Sequence, residues 1–339
     1  MEAAAVGIAA IGVGYWSNVL AGALVKSPKL ALRTCFTRDA AKRQSFAEKF
    51  SCDQEESYAA VLGRRDVEAV LLTTPDDTHA DLAIEAAGAG KHVIVEKPMA
   101  HTLASGRAMV EACARARVTL AVAHGHRHSQ AMRRLKQMLE SGELGTPVTA
   151  IAKFTAPGGQ DLTPRRWRYY RAACPAGPLQ PLGVHLVDNL NFLFGVPQRV
   201  MAAFGKPVGR AEIDDVAHVT IIYPGNVVAT LVNSFISPRT YGLHVYGTKA
   251  NALFTCETIL ENFDETTRFR VQTMQDADAR PVELPKGNIL LSELEDFADA
   301  VRQGRPAACG GEEGLRTVAV LGAAARSAAA GAWVNVADL

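Results

Sequence analysis

The sequence has few cysteines and almost no excess of charge. Its six cysteines are scattered over 339 residues without a C-x-x-C pair, which argues against a disulfide framework and predicts reduced thiols in a cytoplasmic protein. The 36 basic and 35 acidic side chains leave a formal net charge of +1. Because a nucleic-acid-binding surface needs a strongly basic stripe, this balance predicts no nucleic-acid partner.

Long apolar runs are also missing. The N-terminal stretch MEAAAVGIAAIGVGYW is apolar but lacks the basic start of a signal peptide, and no later run is long enough to span a bilayer, so we expect no membrane partner. The chain nevertheless has ample core material, with 48% apolar residues against 21% charged ones. A chain of this length is expected to form two domains, which we place at residues 1–124 and 125–339.

The first half alternates short apolar runs with helical segments. Strands are predicted at Val6–Ile11, Leu30–Phe36, Ala69–Thr73, within Lys91–Pro98 and at Val118–Ala123, and helices at Asn18–Val25, Ala40–Phe50, Thr78–Gly88 and Leu103–Ala116. This alternation is typical of an α/β fold with a doubly wound parallel sheet. After a helix at Gln130–Ser141, strand-like runs between Thr149 and Cys256 are separated by short turns, which favours an antiparallel sheet.

A glycine pair follows the first strand directly. Gly12 permits a tight turn, and Gly14 lets the backbone approach a pyrophosphate at the start of a helix. Ser17 replaces the usual third glycine and could donate its hydroxyl to a phosphate. Together with the ends of the later strands, the turn predicts a nucleotide site built from Gly12, Gly14, Tyr15, Trp16, Thr37, Arg38, Thr74, Pro75, His79, Glu96 and Lys97.

The second strand ends in Thr37-Arg38-Asp39. An NAD site usually has an acidic residue here that accepts from the ribose 2′-hydroxyl. A hydroxyl followed by a guanidinium suits a 2′-phosphate instead, so we predict that NADP(H) is preferred over NAD(H). The alternative is that Arg38 is an ordinary solvated loop residue.

Two segments carry residues suited to catalysis. The KHVIVEKP segment brings Lys97 to the carboxyl edge of the parallel sheet, where ligands bind; the alternative is a solvated Glu96-Lys97 pair. In GVHLVD, His185 and Asp188 share one side of a helix. An imidazole titrates near neutral pH and can exchange a proton with a substrate hydroxyl, although His185 could also be a buried core histidine.

Arginines suggest further contacts. Arg127 lies in the HGHRH segment, whose alternating histidines resemble metal ligands. No cysteine or carboxylate nearby in the sequence completes a ligand set, so we predict no metal; Arg127 could orient substrate or contact the neighbouring domain. Arg168 beside Trp167 could bind substrate or belong to an oligomer interface. The predicted substrate contacts are Lys97, Arg127, Arg168, His185 and Asp188.

The segments IGVGYW, TTPDDTHADLAIEAAGAGKHVIVEKPMA, HGHRHSQAMRRLKQMLESGELG and GVHLVD resemble the glucose-fructose oxidoreductase / inositol dehydrogenase (Gfo/Idh/MocA) family. The resemblance implies a Rossmann domain followed by an α/β domain with a large, mostly antiparallel open sheet. It also implies a nicotinamide cofactor, a sugar, cyclitol or related polyol substrate, and His185 beside Lys97 at the nicotinamide. Family dehydrogenases commonly carry an aspartate four residues before this histidine, whereas this chain has Pro181.

We therefore predict an NAD(P)-dependent dehydrogenase or reductase that moves a hydride between nicotinamide C4 and a carbinol or carbonyl carbon. Lys97 would polarise the reacting oxygen, His185 would exchange the proton, and Asp188 would orient the site. Two alternatives are a non-catalytic NADP-binding sensor or scaffold, and an enzyme that uses transient oxidation by tightly bound NAD(P) for non-redox chemistry. A large open sheet needs a cover, which predicts a homodimer or homotetramer.

Overall fold

The computed structural model describes residues 4–339, and the chain divides into two compact units. The first unit comprises the chain up to Gly125 together with Leu290–Leu315, and the second comprises His126–Ile289 and Arg316–Leu339. No signal in the sequence indicates the return of the chain to the first unit. The division of roles between residues 1–124 and 125–339 stays a prediction.

The first unit is built on a parallel sheet. Its strands are β1 Val6–Ile11, β2 Leu30–Phe36, β3 Asp53–Gln54, β4 Ala69–Leu72, β5 His92–Glu96 and β6 Leu120–Ala123, and its helices are α1 Tyr15–Leu24, α2 Ala40–Phe50, α3 Tyr58–Gly63, α4 His79–Gly88 and α5 Leu103–Ala116. Among the described residues these strands run in the order β3-β2-β1-β4-β5-β6, and their pairings are parallel. Every residue of β1 and β4 is buried, as in a sheet with both faces covered. The predicted doubly wound sheet is confirmed.

Local differences from the predicted elements have physical reasons. Helix α1 begins at Tyr15 rather than Asn18, because Gly14 is already its N-cap. The prediction also missed β3 and α3, which have only two and six residues. Elements this short carry no periodic pattern of apolar residues. The α3 helix is instead fixed by its cap, since the hydroxyl of Ser57 accepts a hydrogen bond from the amide of Ala60 at 3.1 Å.

The second unit is built on a larger sheet. Its strands are β7 Pro147–Thr155, β8 Arg199–Gly205, β9 Val216–Tyr223, β10 Val227–Ser234, β11 Thr240–Gly247, β12 Ala250–Cys256, β13 Arg268–Thr273, β14 Arg280–Pro281 and β15 Val334–Asn335. In the described chain their order is β14-β13-β12-β11-β7-β10-β9-β8-β15. The pairing of β7 with β10 is parallel, whereas the others are antiparallel, so the large, mostly antiparallel sheet is confirmed. The sequence analysis missed β13, β14 and β15.

The second unit contains the helices α6 Gln130–Glu140, α7 Gly183–Phe194 and α8 Phe263–Thr266. Helix α9 Ile289–Gln303 belongs to the first unit apart from its first residue, and α10 Gly311–Ala330 begins in the first unit and continues into the second. Helix α7 packs on β7 and β10, and ten of its twelve residues are buried. This position makes α7 a rigid support for the side chains of GVHLVD. Over residues 4–339, no helix has both the length and the apolar character that a membrane crossing needs.

Candidate functional site

A tight turn lies at the carboxyl end of β1 in the first unit. Gly12 has a φ of +83°, and a Cβ on it would lie 2.7 Å from the methyl group of Thr74, so the turn requires glycine. The hydroxyl of Thr73 donates to the carbonyl oxygen of Gly12 at 2.5 Å. Gly14 caps α1, and nothing lies within 4 Å of the position of a Cβ there. Backbone at an open helix N-terminus suits a pyrophosphate.

Ser17 does not have the role that the sequence suggested. Its side chain is fully buried, and its hydroxyl has no hydrogen-bond partner among the described residues. A small residue at this position allows α1 to pack closely on the sheet, which is the role of the usual third glycine. The idea that the Ser17 hydroxyl donates to a phosphate was therefore wrong.

The loop after β2 exposes a guanidinium. Arg38 is exposed and Thr37 is half-buried. The carbonyl oxygen of Thr37 accepts a hydrogen bond from the Arg43 guanidinium at 3.0 Å, while Asp39 caps α2 by accepting from the amide of Lys42 at 3.1 Å. Arg43 thus holds the loop in shape, and Arg38 is left at its surface.

The loop after β4 is organised by His79. Thr74 is half-buried and Pro75 is exposed. Nε2 of His79 lies 2.8 Å from the carbonyl oxygen of Thr74, and Nδ1 lies 3.1 Å from that of Pro98. The ring is 1% exposed, and burial lowers its pKa. His79 therefore ties two loops together from inside the unit, and its predicted contact with a cofactor stays a prediction.

Lys97 follows β5 at the same edge of the sheet. Its Nζ lies 5.6 Å from the centroid of the Trp16 ring, within the range of a cation–π contact. The carboxylate of Glu96, 9% exposed, accepts a hydrogen bond from the backbone amide of Lys97 at 3.2 Å. The structure thus brings the glycine turn and the KHVIVEKP segment together.

In the second unit His185 lies near the start of α7. Gly183 begins the helix, and a Cβ there would lie 2.4 Å from Oδ1 of Asn233, so the close packing of this end requires glycine. His185 is 6% exposed. Pro181 is half-buried, whereas Gln180 is 4% exposed and its amide donates to the carbonyl oxygen of Ala173 at 3.2 Å.

Two of the predicted substrate residues form an ion pair with each other. Nε of Arg127 lies 3.1 Å from Oδ2 of Asp188, and Nη2 lies 2.5 Å from Oδ1. The two side chains are 5% and 1% exposed. Such a two-point contact fixes both the guanidinium and the carboxylate. Arg168, another of the predicted substrate residues in this unit, stacks its guanidinium 4.6 Å from the Trp167 ring.

Sequence reasoning missed the residues around His185. The ring of His126 stacks on that of His185 at 4.2 Å between centroids. The Tyr241 hydroxyl lies 3.1 Å from Nδ1 of His126, and Nδ2 of Asn189 lies 2.9 Å from the same hydroxyl. The alternating histidines of HGHRH drew attention to His126, but no pattern in the sequence links it to a tyrosine on β11.

Comparisons with known proteins agree with this architecture. Residues 6–124 match the model of an oxidoreductase family with an NAD-binding Rossmann fold, and residues 132–253 match the GFO/IDH/MocA C-terminal domain. A crystal structure from Desulfitobacterium hafniense, described as an NADPH-dependent oxidoreductase, is 33% identical, covers 98% of both chains and superposes with a TM-score of 0.94.

Two curated relatives are more distant in sequence. Levoglucosan dehydrogenase of Pseudarthrobacter phenanthrenivorans is 23% identical over 340 residues, which cover 88% of this chain and 86% of the relative. The scyllo-inositol 2-dehydrogenase (NADP(+)) of Bacillus subtilis is 26% identical over 278 residues, which cover 77% and 76% of the two chains.

The parallel sheet with its glycine turn in one unit and the large open sheet in the other, together with the matches to both family models, define a nicotinamide-dependent oxidoreductase. The chain belongs to the Gfo/Idh/MocA family, which confirms the resemblance of its motifs. It is an NAD(P)-dependent dehydrogenase or reductase.

Proposed function

We propose that the protein transfers a hydride between nicotinamide C4 and a carbinol or carbonyl carbon of a sugar, cyclitol or related polyol, and that NADP(H) is its preferred cofactor. The observation that carries the proposal is the meeting of the Gly12 turn and Lys97 at one edge of the parallel sheet. The substrate class is supported by the names of the two curated relatives, which refer to levoglucosan and scyllo-inositol.

The exposed guanidinium of Arg38 supports the NADP(H) preference. Neither Thr37 nor Arg38 offers a carboxylate to a ribose hydroxyl, and a charged hydrogen bond to a 2′-phosphate is worth about 1.5–3 kcal/mol. Replacing Arg38 with alanine should therefore lower kcat/KM for NADPH by about 10- to 100-fold and leave that for NADH nearly unchanged. Steady-state kinetics with both cofactors measure this, and a wild-type preference for NADH would contradict it.

The residues of this chain would move the proton and position the oxygen. A bound nicotinamide supplies the acceptor or donor of the hydride. Lys97 donates a hydrogen bond to the reacting oxygen and polarises it, and His185 takes the hydroxyl proton as the carbinol becomes a carbonyl. In reduction, His185 returns that proton to the oxygen. The buried carboxylate of Asp188, held by Arg127, keeps the GVHLVD helix in place.

Substitutions at both residues test these roles. Lys97→Met and His185→Asn should abolish turnover on a panel of sugars, cyclitols and their keto forms, while fluorescence titration shows that NADPH still binds. Lys206→Met is a matched control, since Lys206 is an exposed lysine in the loop after β8. If Lys97→Met retained most of the activity, Lys97 would not polarise the substrate. If the wild type binds NADPH but turns over no compound of the panel, the result would favour the non-catalytic NADP-binding sensor or scaffold.

Pro181 favours the alternatives to an ordinary dehydrogenase, one of which is an enzyme that recycles tightly held NAD(P) within one turnover. Proline has no proton to relay at a position where the family resemblance implies an aspartate, and the neighbouring Gln180 is buried with its amide donating to the carbonyl oxygen of Ala173. A purified protein that carries nucleotide and converts a sugar without net redox change would favour this candidate. Net reduction of added NADP⁺ would exclude it.

We also infer a homodimer or homotetramer. One face of the nine-stranded sheet carries partly exposed apolar side chains, including Ile151 on β7, Val228 on the adjacent β10 and Leu253 on β12, which is separated from β7 by β11. Ile151 is 47% exposed. Apolar surface of this kind favours a second copy of the chain as its cover. All six cysteines lie within the described residues and none of them forms a disulfide there, which suits the reducing cytoplasm.

A further inference from the structure

The imidazole of His126 is enclosed by aromatic rings in the second unit. It stacks on His185 at 4.2 Å with an interplanar angle of 27°, and it packs against Phe263 at 4.8 Å with an angle of 32°. Tyr241 meets it edge-on at 5.0 Å. The ring is 3% exposed, so its nitrogens depend on protein partners.

Hydrogen bonds set the protons of this ring. Nε2 of His126 lies 3.4 Å from the carbonyl oxygen of Ile259, which can only accept, so Nε2 carries a hydrogen. The amide of Asn189 donates to the Tyr241 hydroxyl at 2.9 Å. The phenolic hydrogen then points to Nδ1 of His126 at 3.1 Å. Burial raises the pKa of Tyr241 well above its usual range, so the phenol keeps its proton.

We propose that His126 is a positioning residue. Tyr241 and Asn189 hold it as the neutral Nε2–H tautomer, so that its stacked ring orients His185 and leaves the catalytic proton to His185. Two imidazolium rings at this separation would repel each other. A neutral neighbour therefore preserves the ability of His185 to be protonated near neutral pH. The inference rests on the proposed role of His185 in proton exchange.

In the second unit, further titratable groups lie on the segments around the pair. Asp188, on the helix of His185, is neutralised by Arg127, and Cys256 on β12 directs its thiol to the carbonyl oxygens of Thr258 and Phe263 at 3.0 and 3.1 Å. The remaining groups of this unit on neighbouring segments are His128, next to Arg127, and Asp264, whose carboxylate accepts from the amide of Gln130 at 3.0 Å.

The tautomer can be observed without substrate. Long-range ¹H–¹⁵N spectra of the full-length protein labelled at histidine distinguish the two neutral tautomers from the imidazolium, and the His126→Phe variant assigns the signal. We expect the neutral Nε2–H pattern for His126 throughout pH 5.5–8.5. A ring that titrates in this range, or one that carries its hydrogen on Nδ1, would overturn the proposal.

Kinetics then test the effect on His185. Tyr241→Phe removes only the hydroxyl that holds Nδ1 of His126, so His126 can become protonated as the pH falls. Its charge should lower the apparent pKa of His185 in the pH profile of kcat/KM by about one unit or less. Tyr223→Phe is the matched control, because Tyr223 is equally buried but its hydroxyl donates to Asn191 at 2.8 Å. It should cost similar stability and leave the profile unshifted.

Truncating His126 separates its effect on the orientation of the His185 ring from the effect of its charge. His126→Ala removes the stacked ring and should lower kcat by about tenfold or more without changing the affinity for NADPH; His126→Phe keeps a neutral ring and should lose less. If His185→Asn abolishes turnover but Tyr241→Phe and Tyr223→Phe give the same pH profile, this inference fails alone. If His185→Asn leaves turnover intact, the proposed function of His185 fails instead. Should the tyrosine variants not fold, the spectra of the wild type decide.

Discussion

Replacing Asp188 with asparagine should destabilise the second unit strongly. The Arg127 and Asp188 side chains are only 5% and 1% exposed, so the variant removes the carboxylate that pairs with the buried guanidinium. Removing one partner of a buried ion pair costs about 3–5 kcal/mol. In a unit of this size each kcal/mol corresponds to about 2–4 °C, so we expect Tm to fall by about 6–20 °C. Differential scanning calorimetry at pH 7 measures the change.

The double variant Arg127→Met/Asp188→Leu is the decisive control. It removes both charges and keeps apolar volume, and buried ion pairs replaced in this way often leave stability unchanged or improved. Its Tm should therefore lie well above that of Asp188→Asn. The single variants Arg127→Met and Asp188→Leu, together with the wild type and the double variant, form a thermodynamic cycle that measures the coupling between the side chains.

Two results would refute this reasoning. A fall of less than about 2 °C for Asp188→Asn would show that the pair contributes little, and a double variant as unstable as the sum of the singles would show no coupling. The same samples test the predicted substrate contact of Asp188. A folded Asp188→Asn protein whose KM for substrate rises at unchanged NADPH affinity would support a direct contact rather than a purely supporting role.

Three further perturbations follow from the structure. Burial raises the pKa of Asp264 to about 6, above its value in the unfolded chain. Its contribution to stability is therefore complete below about pH 4 and is lost as the pH rises through 6. Urea unfolding should show that the free energy of unfolding decreases by about 1–3 kcal/mol over this range, and Asp264→Asn should remove this decrease. Gly183→Ala should lower the free energy of unfolding by about 1–3 kcal/mol, because the new methyl group would press on Asn233. Gly322 has open space around it inside α10, so Gly322→Ala should be neutral or stabilising by up to about 1 kcal/mol in the same assay. Ile151→Glu on the apolar sheet face should shift the molar mass from light scattering towards the monomer, and an unchanged mass would argue against this face as the interface.

The sequence predicted those parts of the fold that depend on local patterns. Strand β2 and helices α2 and α5 have the predicted bounds. The spacing of apolar residues marks these elements, and Asp39 and Thr102 cap the N-termini of the two helices. The short β3 and α3 lack such a signal. In the second unit the sequence could not show that β7 pairs in parallel with β10, since that depends on how distant segments assemble.

The candidate site shows the same limit. The glycine turn and Lys97 could be recognised because their function follows from position on a parallel sheet. The partnership of Arg127 with Asp188 joins residues 61 positions apart, and that of His126 with Tyr241 joins residues 115 apart. Arg127 and Asp188 were both singled out from the sequence, but no local pattern could show that Arg127 meets a carboxylate inside the protein rather than a substrate, and nothing singled out Tyr241.

The late return of the chain to the first unit bears on the order in which a nascent chain can fold. The amide of Val122 on edge strand β6 donates to the carbonyl oxygen of Cys309 at 2.8 Å, and Ala121 pairs with Gly310. On a ribosome adding about 5–20 residues per second, β6 emerges roughly 10–40 s before these partners, which follow about 190 residues later. During that interval the strand has an open edge of the kind that recruits other chains. The edge of the cofactor domain is thus sealed only after strands β7 to β14 of the second unit have been synthesised.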